Sequence, residues 1–159
     1  MTEVNGLRLA YRGFIAGLAG AYVWIAIAML LATPSGAPLA PLRVMGSIGP
    51  DGWSISLHES FVLALGLAQV AGAGIGIGFA YFFARFFTAR GTLLAAAICV
   101  AMLAWALLSN RLALAAGVNP WTFGPSAGLV VATIGYGLVL GGWVPVRGDV
   151  MRYAGSPST

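Results

Sequence analysis

The chain has 159 residues, 60% hydrophobic and only 8% charged, with a mean hydropathy of +0.93. A soluble domain carries about 25% charged residues, so there is too little charge here to cover a water-exposed globule. The formal charge of +4 comes from eight arginines, no lysine and four acids. The arginines stand singly or in loose pairs at the ends of apolar runs, which excludes a phosphate-tracking stripe and nucleic acid as a partner.

A spanning helix needs about 20 mostly apolar residues, and four segments meet that need. The first runs from about Leu9 to Ala32 and stops before Thr33-Pro34-Ser35-Gly36, a cluster of helix breakers. Its apolar part, Gly13 to Ala32, exceeds the roughly 7–15 residues of a signal-peptide core, so it reads as a span. The second runs from about Leu57 to Phe87, opened by Ser56-Leu57-His58-Glu59, a capping-box pattern. At 1.5 Å per residue it would be roughly 45 Å long and would tilt in the bilayer or protrude from it. The third spans about Gly91 to Ala116 and the fourth about Ser126 to Val144, before Pro145. The reading is an all-α, integral membrane four-helix bundle forming a single transmembrane domain over 1–159.

The arginines set a direction. Arg8, Arg12, Arg85, Arg90, Arg147 and Arg152 fall on one side of a regular weave, and Arg43 and Arg111 on the other. Positive-inside counting places both termini and the middle turn in the cytoplasm, in a multi-pass protein of the cell inner (plasma) membrane. Tyr11, Phe14, Tyr81, Phe82, Phe83, Trp143 and Tyr153 then lie near the inner boundary, and Trp53, Trp121 and Phe123 near the outer one. The one long connection is the outer loop between helices 1 and 2, from Thr33 to Ser56, with a turn at Gly49-Pro50-Asp51-Gly52 and an apolar stretch from Leu39 to Ile48. That stretch reads as lying on the outer interface, with a lid or docking element as its functional alternative. Aligning residues from Gly13 with those from Gly91 yields no more matches than this composition supplies by chance, so no internal repeat is assigned.

Lipid tails remove the hydrophobic drive for helix association, and small residues that let backbones approach must replace it. Gly13, Gly17, Gly20 and Trp24 form one stripe in the first span. The second carries Gly72 with Gly76 and Gly74 with Gly78. The fourth offers Gly128 after Gly124, Gly137 with Gly141, and Gly135 with Gly142. The third uses Ala95, Ala96, Ala97, Ala101 and Ala104 instead. Glycines on several faces suggest helices from other subunits, and a homo-oligomer is compatible with the same pattern.

Few residues could carry chemistry. Gln69, near the middle of the second span, shares a face with Gly72, Ala73, Gly76 and Ala80. It reads as an interhelical hydrogen-bonding group, with a ligand or solute contact as the alternative. His58, the single histidine, reads as an interfacial or capping residue, although one imidazole could ligate a pigment metal. Glu59 gains from the helix dipole. Cys99 lies within an apolar run and reads as a buried, inert thiol. There is no metal set, no catalytic triad and no intramembrane acid or base for a proton relay. The run Gly72-Ala73-Gly74-Ile75-Gly76-Ile77-Gly78 has no following Lys-Ser/Thr and belongs to a hydrophobic helix, not a phosphate loop.

Arg12-Gly13-x-x-Ala16-Gly17 opening the first span, His58 opening the second, and Gly135-Tyr136-Gly137-x-x-x-Gly141 in the fourth form a recurring pattern. In these the chain resembles a broad class of small, glycine-rich, four-helix bacterial integral membrane proteins. The resemblance implies a four-helix fold and no activity. The function expected is that of a non-catalytic subunit or accessory protein of a larger, energy-transducing bacterial membrane complex. The chain is not expected to be an enzyme, no cofactor is required by the sequence, and its partners are the bilayer and other membrane subunits. Two other classes stay open. One is a channel or facilitator for a small neutral solute, using Gln69, Ser109, Asn110 and Thr133; the other is a pigment, haem or quinone binder using His58 and the aromatic residues.

Overall fold

The computed structural model describes residues 3–35, 57–83, 86–115 and 127–145. Four long helices account for most of them: α1 (Glu3–Ala32), α2 (Leu57–Gly78), α3 (Arg90–Ala115) and α4 (Ala127–Trp143). Three stretches, Gly6–Ala32, Leu65–Phe83 and Arg90–Leu108, are long and apolar enough to cross a membrane. The fourth helix is shorter at 17 residues, about 25 Å at 1.5 Å per residue.

Two boundaries depart from the expected spans. Helix α1 begins at Glu3 instead of Leu9, because backbone hydrogen bonding continues through polar turns that an apolar criterion cuts away. Helix α2 does not run unbroken to Phe87: after Gly78 the chain makes a π-helical turn over Phe79–Phe83 and has left the helix at Phe87. A π turn holds one more residue than an α turn and so rotates the chain beyond it. Here it includes Phe79 and Ala80, both fully buried. At the end of α1, Pro34 cannot donate a backbone bond, and the chain closes with a short 3-10 turn over Thr33–Ser35. The Thr33 hydroxyl donates to the Met29 carbonyl at 2.9 Å.

Helix α1 is the centre of the fold, packing along both α2 and α4, while α3 packs along α4. No comparable seam joins α2 and α3 among the described residues, although they are neighbours in sequence. The residues between Phe83 and Arg90 reach roughly 20 Å when extended, enough to separate them. Each seam is antiparallel: Gly13 meets Gly76 while Gly17 meets Gly72, Gly20 meets Tyr136 while Gly128 meets Leu31, and Gly141 meets Leu94 while Gly137 meets Ile98. Helices α1 and α3 therefore point one way, and α2 and α4 the other.

The core follows from this closeness. Its buried members are mainly alanines, among them Ala16, Ala28, Ala68, Ala80, Ala97, Ala101 and Ala132, punctuated by Trp24, Phe79, Leu93, Tyr136, Leu140 and Val144. Large apolar side chains point outward instead, including Leu30, Val62, Val70, Phe82, Leu103 and Leu107. That arrangement inverts a water-soluble bundle and suits hydrocarbon on the outside.

Candidate functional site

The closest contact between helices is the α1–α2 seam. A methyl group placed on Gly13 would collide with the Gly76 carbonyl oxygen and lie 2.5 Å from Ala80 Cβ. One on Gly17 would strike the Gly72 carbonyl and lie 3.1 Å from Ala73 Cα. From the other side, a methyl on Gly76 would meet the Gly13 carbonyl and lie 2.8 Å from Gly17 Cα. Backbone faces backbone here, so no rotamer change could make room.

The stripe expected on α1 serves two partners. Gly13 and Gly17 face α2, whereas Gly20 and Trp24 face α4. Tyr136 of α4 lies across Gly20, where an added Cβ would stand 2.8 Å from its Cδ2, and its hydroxyl donates to the Gly72 carbonyl of α2 at 2.8 Å. One phenol thus ties α4 to α2 across α1. On the α1–α4 seam, Trp24 Nε1 donates to Thr133 Oγ1 at 3.1 Å, and that hydroxyl donates to the Leu129 carbonyl at 2.8 Å. Thr133 is thereby committed to packing, as a polar group buried away from water must be. The Gly135-Tyr136-Gly137 triplet explains itself in the same way. Gly135 abuts Ile27 of α1, with 2.6 Å from an added Cβ to its Cδ1, while Gly137 abuts the Ile98 backbone of α3, with 2.7 Å to its Cα.

Arg90, expected to be a topology signal, also has a structural partner. It begins α3, and its guanidinium donates to the Val144 carbonyl at 2.7 Å and to the Gly142 carbonyl. The last carbonyls of a helix lack partners of their own and carry partial negative charge, so this cation closes the end of α4. Periodicity held no sign of the contact; the pairing of a basic residue at one helix start with Pro145 at another helix end was the available hint.

Gln69 stands apart. Its Oε1 and Nε2 are both buried, and neither has a hydrogen-bond partner among the described residues. The expected interhelical bond is therefore absent. Gln69 lies one turn before Gly72 as Thr133 lies one turn before Tyr136, and α2 and α4 run in the same direction. The antiparallel register of α1 and α2, with Gly13 against Gly76 and Gly17 against Gly72, sets Gln69 near the level of Gly20.

The other expected positions divide plainly. Gly128 meets Leu31 with 3.1 Å to its Cβ, and Gly141 meets the Leu94 backbone with 2.9 Å to its Cα. Gly74 and Gly78, also expected to be packing positions, touch no other helix of this chain among the described residues: an added Cβ at either would meet nothing within 4 Å, because both lie off the face that α2 turns to α1. Gly142 is open in the same sense, and Gly135 is not paired with it. Cys99, expected to be buried, is exposed on α3, since α3 buries only the face it turns to α4. His58 and Glu59 fall in the first turn of α2, and their side chains lie outside the described residues, as do those of Ser109 and Asn110. Ser56, Gly124 and nearly all of the outer loop lie outside them too. Among the described residues no group of three or more His, Cys, Asp or Glu comes together. Comparison with protein-family models, with curated proteins and with solved structures finds no match for the chain.

Proposed function

We propose that the chain is a non-catalytic, multi-pass subunit or accessory protein of a larger membrane assembly in the plasma membrane, with both termini cytoplasmic. The observation that carries this reading is the open face of α2. Val70, Gly74, Gly78 and Phe82 follow one another a turn apart, with Val70 72% exposed, Phe82 56% exposed and both glycines open. Gly13, Gly17, Gly72 and Gly76 offset the conformational cost of glycine by close backbone contact; Gly74 and Gly78 would do so against a helix from outside the chain. The sides of α3 turned away from α4, with Leu103 and Leu107 exposed, offer further apolar surface. The cytoplasmic placement is supported by Arg8, Arg12 and Arg90, which the antiparallel packing brings to one end of the bundle.

Purification of the full chain in mild detergent tests this. A stable larger species is expected, which Gly74→Ile/Gly78→Ile dissociates without unfolding the chain. A lone monomer with no co-purifying partner would end the proposal.

A second reading is favoured by Gln69, whose unpartnered buried amide is the kind of group that would contact a small neutral solute in transit. It requires flux in reconstituted liposomes that falls with Gln69→Leu. An unchanged rate, or no flux, speaks against it.

A further inference from the structure

Tyr22 stands on the outside of α1, 60% exposed and about half a turn round the helix from the glycines that meet α2 and α4. It follows Arg12 by ten residues and precedes Thr33 by eleven, about 15 Å from either at 1.5 Å per residue. This is the middle of the apolar stretch, out of a phenol's reach of water at both ends. Its hydroxyl has no hydrogen-bond partner among the described residues. Hydrocarbon supplies no acceptor, and tyrosine hydroxyls withdrawn from water usually find one. The bundle shows how: Tyr136 lies over Gly20 and donates to the Gly72 carbonyl of a further helix.

Bare backbone of the same kind is on the outside of α2. An added Cβ on Gly66 or Gly74 would meet nothing within 4 Å among the described residues, and Val70 between them is exposed. The register that sets Gly13 against Gly76 and Gly17 against Gly72 puts Ile15 at the depth of Gly74 and Ala19 at that of Val70. Tyr22 then lies within one residue of the depth of Gly66. Copies of one chain in one membrane share orientation and depth, so these levels meet whenever the two faces meet. Large faces small at each: Ile15 over Gly74, Val70 over Ala19, Tyr22 over Gly66. We propose that the outward face of α1 docks on the outward face of α2 of a second copy, where the Tyr22 hydroxyl donates to the Gly66 carbonyl. Two different surfaces meet in this contact, so the assembly adds copies head to tail until a ring closes. The inference rests on the bilayer and assembly readings above, and names the partner as this chain itself.

The test cross-links full chains co-expressed in one membrane, all carrying Cys99→Ser so that introduced thiols are the only ones. Ala19→Cys chains and Val70→Cys chains, differently tagged, should form mixed disulfides on oxidation, and neither should link to its own kind. The double variant Ala19→Cys/Val70→Cys should give a ladder beyond the dimer. Leu138, exposed on α4 near the depth of Ala19 by the Gly20–Tyr136 contact, supplies the collision control as Leu138→Cys. Tyr22→Phe keeps the ring and should lower the mixed yield about threefold, as for loss of one interhelical bond in a membrane. Gly66→Leu should abolish it, with thermal melts confirming that each variant is folded. A mixed yield no higher than with Leu138→Cys, self-linking of either single variant, or an unchanged yield in Tyr22→Phe would each overturn the contact. A different protein co-purifying with the chain, without mixed disulfides, would overturn this inference and leave the assembly reading standing; a lone monomer would end both.

Discussion

The Tyr136 hydroxyl donates to the Gly72 carbonyl at 2.8 Å, joining two helices that share no extended seam. It reaches that oxygen by lying over Gly20, the position in α1 where a side chain would occupy the path of the ring. A helical carbonyl has a second lone pair beyond its intrahelical bond, so the contact costs α2 nothing. Three helices are thereby set against one another through one phenol and two glycines.

Tyr136→Phe should lose about 0.6 kcal/mol, and up to about 2, the range for interhelical bonds in membranes. Gly20→Ala should cost about 1–3 kcal/mol, because the ring must move. The double variant should cost less than the sum, since both changes act through one contact. Equilibrium unfolding in mixed detergent micelles reads all three, and strict additivity would show that Gly20 does not position Tyr136.

The glycines of α2 should separate into two groups. Gly76→Ala drives a methyl group against the Gly13 and Gly17 backbones and should destabilise by several kcal/mol or prevent folding. Gly74→Ala meets nothing within 4 Å and should be neutral or slightly favourable, alanine being the better helix former by about 1 kcal/mol in water. Melting temperatures of the two single variants decide this, and similar losses would refute the seam.

Arg90→Gln should loosen the end of α4 by about 1–2 kcal/mol, since the Val144 and Gly142 carbonyls lose a charged donor. Arg90→Lys should recover only part of that, because an ammonium cannot span two acceptors as a guanidinium fork does. Hydrogen exchange near Trp143 is the direct measurement. Unchanged protection in Arg90→Gln would show that water replaces the cation without loss.

Gln69→Leu should stabilise the isolated chain by about 1–3 kcal/mol, the cost of a buried polar group left without a partner. Loss of stability in the same unfolding assay would mean that the amide is held by a group the bundle does not itself supply.

Much of the fold was legible in the residues because its causes are local. Apolar runs of sufficient length, Pro34 and Pro145 near helix ends, and small residues one turn apart state that helices form and that they pack by close approach. The backbone contacts of Gly13, Gly17, Gly72 and Gly76 follow from glycine placed where only glycine fits. The π turn at Phe79–Phe83 was not legible, since it depends on how α2 must rotate against α1 and not on its own apolar pattern. Nor was the exposure of Cys99: an apolar run places a residue at membrane depth without saying which side of the helix is covered.

Composition and spacing by themselves determined a helical, hydrocarbon-compatible chain whose helices meet through small residues. Only the tertiary structure decided which glycine meets which backbone, that α1 takes the centre while α2 and α3 stay apart, and that Gly74, Gly78 and Gln69 are left without partners. The physical reason is that helix formation and apolar burial are sums over neighbours in sequence. Partner choice depends instead on the rotation and crossing of whole helices, which no single segment encodes.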